Sequence, residues 1–118
     1  MFNHPADFQM SFNSVSNGVL DAEKGMRDFA TESVPPRGSN YSLYSNPRYD
    51  ELLDKAVATL EPAERAPLYA QAIQLVWNDA PVIFLYIQPT FHAKSKRVND
   101  VAIRANETLD VSHAWIAP

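Results

Sequence analysis

Between residues 45 and 81 the chain carries two consecutive helix patterns, each opened by a proline, and these restrict the possible folds more than any other feature. Ser45-Asn46-Pro47 places a capping side chain before a proline at the first helical position, where the missing N–H costs nothing. Tyr49, Leu52, Leu53, Ala56, Val57 and Leu60 then recur at three- and four-residue spacings, while Arg48, Asp50, Glu51, Asp54 and Lys55 take the other faces. The spacing predicts a helix packed on one side and solvated on the other. Glu61-Pro62 repeats the start signal, and Leu68, Tyr69, Ala72, Ile73, Val76 and Trp77 mark a second amphipathic helix to about Asp79, stopped by Ala80-Pro81. A proline inside a helix loses a backbone bond and costs ~3 kcal/mol. Pro67 therefore predicts a loose turn over residues 62–66, with regular helix beginning at Pro67 itself.

The helices are followed by Val82-Ile83-Phe84-Leu85-Tyr86-Ile87, an apolar run without helical periodicity, rich in β-branched and aromatic residues. That pattern predicts a central strand covered on both faces. Two weaker strands are expected over residues 98–103 and 111–116, linked by the turn-like Arg104-Ala105-Asn106-Glu107. Upstream, Phe8, Met10 and Phe12 alternate with polar residues, which predicts a half-buried strand near residues 7–13. Asp21 can cap a short helix bearing Ala22, Met26, Phe29 and Ala30, and Pro35-Pro36-Arg37-Gly38-Ser39-Asn40 marks residues 33–45 as a loop. The order β, α, α, α, β, β, β gives an α/β or mixed α+β class.

Several chemistries are disfavoured outright. Six Phe, five Tyr and two Trp among 118 residues, with 46% hydrophobic residues, supply enough apolar surface for a core. The net charge of −4 gives no global attraction to phosphate backbones, so no nucleic-acid partner is expected. With no cysteine there is no disulfide, thiolate metal site or cysteine nucleophile. Gly18, Gly25 and Gly38 are too scattered to build a phosphate-binding loop. His4, His92 and His113 are too far apart in sequence for a zinc motif, and Ser11, Ser14, Ser16 and Ser45 lack the Gly-x-Ser-x-Gly elbow. No cofactor, no metal and no catalytic residue is expected. Asp50, Glu51 and Asp54 read as solvated carboxylates of a helix face, and Lys94-Ser95-Lys96-Arg97 as protection of a strand edge. No run reaches the ~20 apolar residues of a membrane helix. Met1-Phe2-Asn3-His4-Pro5-Ala6-Asp7 has neither the basic nor the apolar part of a secretory signal, so the chain as it begins is expected to stay in the cytosol.

One loop stands apart. Asn13-Ser14-Val15-Ser16-Asn17-Gly18 follows the first expected strand with several uncommitted donors and acceptors, and loops at strand ends often bind small polar ligands. The plain alternative is an ordinary turn. Tyr86 and Gln88, at the end of the apolar run, offer a phenol and an amide in the same sense.

From residue 40 onward the order of features resembles the C-terminal portion of bacterial extracellular solute-binding proteins of family 5, which serve peptide, oligopeptide and nickel ABC importers. Asn40-Tyr41-Ser42-Leu43-Tyr44-Ser45-Asn46-Pro47-Arg48-Tyr49-Asp50-Glu51-Leu52-Leu53 is similar to the family's asparagine, aromatic, Ser/Asn-Pro and Asp-x-Leu-Leu pattern. Leu60-Glu61-Pro62-Ala63-Glu64-Arg65 with Leu68-Tyr69 resembles its Asp-Pro-x-x-Arg-x-x-Leu-Tyr segment, with Glu61 in place of the aspartate. Asn78-Asp79-Ala80-Pro81-Val82-Ile83-Phe84-Leu85-Tyr86 resembles the helix end and strand that follow, and Asp7-Phe8-Gln9-Met10 extends the match weakly upstream.

The resemblance implies an incomplete fold, part of the second lobe of a two-lobed, type II-like periplasmic binding protein. Residues 1–88 would belong to that lobe, and residues 89–118 would form the hinge strand and a return segment to the first lobe. It implies a binding protein rather than an enzyme, periplasmic in its full-length form, with any signal peptide far upstream. The partners implied are a small-molecule or peptide-like solute and, through the full-length protein, the permease subunits of an ABC transporter. Ligand contacts would come from the loop residues Asn13, Ser14, Val15, Ser16 and Asn17, and from Tyr86 and Gln88 reaching the cleft. The family often places a tryptophan and an aspartate in that loop. Their absence here favours a neutral, hydroxyl-rich or modified ligand over a peptide with a free amino group. An isolated lobe is further expected to self-associate through uncovered apolar surface. The competing reading is a free-standing cytosolic interaction module that reuses this topology.

Overall fold

The computed structural model describes residue 10, residues 12–14 and residues 21–118, which divide into two units. The first holds the described residues up to Ile83 and the second begins at Phe84. Its helices and short antiparallel pairs make the chain a mixed helix-and-sheet protein.

In the first unit Asp21 caps helix α1 (Ala22–Met26), its Oδ1 accepting from the Glu23 amide at 2.9 Å. Two 3₁₀ turns, Arg27–Phe29 and Thr31–Ser33, carry the chain into the loop. Helix α2 (Pro47–Ala58) begins as expected: Asn46 Oδ1 accepts from the amides of Arg48 (2.9 Å) and Tyr49 (3.3 Å), and Pro47 is the first helical residue. Helix α3 (Pro62–Asp79) follows and ends at Ala80, whose left-handed backbone donates its N–H to Val76 O at 2.9 Å. Asn46 Nδ2 donates to Asp79 Oδ2 at 2.8 Å, so the start of α2 meets the end of α3 and the two helices run antiparallel.

The core lies between these helices. Tyr49, Leu52, Leu53 and Ala56 of α2 are buried against Tyr69, Ala72 and Val76 of α3, with Met26 and Ala30 closing one side. The buried Tyr49 hydroxyl donates to Met26 O, which ties α1 to α2. Replacing Asn46 by alanine removes the cap and the Asp79 bond together. It is expected to lower the unfolding free energy by about 1 kcal/mol, read as a lower urea midpoint with an unchanged slope.

Several expectations are corrected here. Pro67 lies inside α3, and helix begins at Pro62 rather than Pro67. Ala63 and Pro67 are both exposed, so water can satisfy the carbonyl that the proline leaves without a donor. Leu60 falls beyond the end of α2 and is exposed, while Ile73 and Trp77 face away from the buried Tyr69–Ala72–Val76 side of α3. Residues 82–87 form no strand. Val82 lies in a bend, residues 83–87 have no regular structure, and among the described residues no strand pairs with them. A central strand needs neighbours on both edges, which local sequence cannot supply. Of the strand expected near residues 7–13, Met10, Phe12 and Asn13 are exposed without regular structure; the remainder lies outside the described residues.

The second unit contains two short antiparallel pairs. Strand β1 (Val98–Asn99) pairs with β4 (Trp115–Ile116), and β2 (Ala102–Ile103) with β3 (Leu109–Asp110). The turn expected at residues 104–107 is present, held by Arg104 N to Thr108 O and Glu107 N to Arg104 O, both 2.9 Å. The strands are shorter than expected. Asp100 adopts a left-handed φ of 54° and accepts from the Trp115 indole at 2.7 Å, which interrupts residues 98–103. On the return side, Asp110 Oδ1 accepts from the Ser112 amide at 3.1 Å and its hydroxyl at 2.6 Å, turning the chain between β3 and β4.

Candidate functional site

The loop that leads into α2 is organised around one side chain. Asn40 is fully buried, and its Nδ2 donates to Ala30 O at 2.9 Å and Tyr44 O at 2.8 Å. Its Oδ1 accepts from Ser42 Oγ at 2.8 Å, and its own amide reaches Ser33 O at 2.9 Å. Downstream, Tyr44 packs edge-on against Tyr49 at 5.7 Å and donates its hydroxyl to Asp79 Oδ2 at 2.6 Å. Partial burial, then the bond to Asp79, pushes the Tyr44 phenol up to about 12; the bonds from Tyr44 and Asn46 hold the Asp79 carboxyl below its usual range. At neutral pH one group is therefore a fixed donor and the other a fixed acceptor. Asn40, Tyr44, Asn46, Tyr49 and Asp79, all within the segments that carry the family resemblance, act here as joints between elements.

A groove of about 330 Å³ opens beside this loop, floored by Ala30 and Leu53 and rimmed by Glu32, Arg37, Asp50 and Asp54. Asp50 is only half-exposed, where helix periodicity placed it among solvated groups, because its Oδ1 accepts from the Thr31 amide at 3.0 Å. Glu32 is engaged by Arg27 at 2.5 Å. Residues 31–37 precede α2 in the chain and reach the groove only through the loop. Periodicity within α2 could not reveal them, and an asparagine amid turn residues was the sole sequence signal of a buried organiser.

The residues expected to contact a ligand are placed as follows. Asn13 and Ser14 are described and exposed, in the first unit. Val15, Ser16 and Asn17 lie outside the described residues. Tyr86 and Gln88 are exposed, in the part of the second unit that has no regular structure. Their amides, hydroxyls and phenol can exchange hydrogen bonds with a solute without carrying charge. Among the described residues no group of three His, Cys, Asp or Glu side chains could hold a metal ion, and no helix is long and apolar enough to cross a membrane.

This chain resembles a class of transport proteins, the family 5 solute-binding proteins of ABC transporters, in their C-terminal portion, and curated homologues bear the resemblance out. It is similar to the glutathione-binding protein GsiB of Pectobacterium atrosepticum, 43% identical over 70 residues that make up 59% of this chain and 14% of that protein. The glutathione-binding proteins GsiB of Shigella dysenteriae serotype 1 and of Escherichia coli are 36% identical over the same shares. The match thus covers 14% of the length of these relatives. No family model matches the chain. No solved structure matches it.

Proposed function

We propose that this chain is part of the solute-binding component of an ABC importer, a binder without bond chemistry, working in the periplasm in its full-length form and delivering its solute to the permease subunits. The observation that carries the reading is the 43% identity to a protein named for binding glutathione. Residues 1–88 contribute to one lobe, and residues 89–118 form the hinge strand and the return towards the other. Asn13, Ser14, Ser16, Asn17, Tyr86 and Gln88 supply neutral polar contacts, and Val15 an apolar one, to a peptide-like solute held in the cleft. Closure is favoured because the closed state makes contacts to the solute that the open state lacks. Glutathione meets that chemistry in one respect, as a modified peptide bonded through the side-chain carboxylate of its first residue; it keeps a free amino group, for which the loop of this chain offers no aspartate.

The test is a chimera in which the 70 matched residues of the Escherichia coli relative are replaced by those of this chain. The chimera is expected to fold and to bind glutathione in calorimetry. A chimera that folds without binding overturns the solute class, and one that does not fold overturns the lobe assignment. The isolated 118-residue chain, with half a cleft, is expected to show no submillimolar affinity for glutathione.

A further inference from the structure

We draw no further inference here: the strongest candidate, the groove of about 330 Å³ between the loop at residues 30–37 and helix α2, is rimmed by acidic side chains of which Glu32 is engaged by Arg27 and Asp50 by the Thr31 amide, and nothing in the structure shows what would occupy it.

Discussion

Replacing Asn40 by alanine is expected to lower the unfolding free energy of the first unit by about 2–4 kcal/mol, enough to leave it largely unfolded if its total stability is at the low end of the usual range. The side chain is 0% exposed, and its amide is the shared donor to two carbonyls, Ala30 O and Tyr44 O. Alanine leaves both acceptors without that donor and releases Ser42 Oγ from Asn40 Oδ1. Unsatisfied buried polar groups cost about 1–3 kcal/mol each, more than the net worth of the bonds they replace. The loop from Ala30 to Tyr44 would then lose the tie that holds it against the start of α2. Urea titration followed by far-ultraviolet circular dichroism reads the loss. A shift of under about 0.5 kcal/mol would mean that water replaces the amide at little cost.

Gly38→Ala is expected to be the next most damaging change, at about 1–3 kcal/mol, and its reason is space rather than backbone freedom. A Cβ at this position would lie 2.7 Å from Ser33 O, 2.8 Å from Ser33 Cα and 2.9 Å from Ser33 Cβ. The nearest two of these are backbone atoms, so one strand of the loop must move. Ser33 O also accepts the Asn40 amide at 2.9 Å, which makes that bond the first casualty. Gly25 supplies the contrast. It sits within α1, where an added Cβ would meet nothing within 4 Å, and Gly25→Ala should stabilise by about 0.5–1 kcal/mol through helix propensity. Thermal unfolding of the two variants should therefore move in opposite directions. Equal shifts would show that Ser33 yields to the added methyl.

Much of the helical part was legible because its signals act over one turn. Asp21, Asn46 and Pro47 satisfy or spare amides within three residues of themselves, so the starts of α1 and α2 fall where the sequence places them. The stop at Ala80-Pro81 is equally local. Pro67 misled for the opposite reason: its cost depends on whether the freed carbonyl is wet, and that depends on which side of α3 faces out. Ile73 and Trp77 fit an apolar periodicity, yet the neighbour α2 covers only the side bearing Tyr69, Ala72 and Val76. Of the candidate site, residue types were legible at Asn13, Ser14, Tyr86 and Gln88, but hydrogen-bonding capacity alone does not say which groups converge on a ligand.

Local sequence by itself determined the caps at Asp21 and Asn46 and the turn at residues 104–107, since each closes hydrogen bonds between residues a few positions apart. Tertiary structure alone decided that Asn40 is buried, that Asp50 holds the Thr31 amide, and that residues 82–87 form no strand. Burial and strand pairing are properties of what lies opposite a residue, and a residue's own chemistry states only what it would accept there.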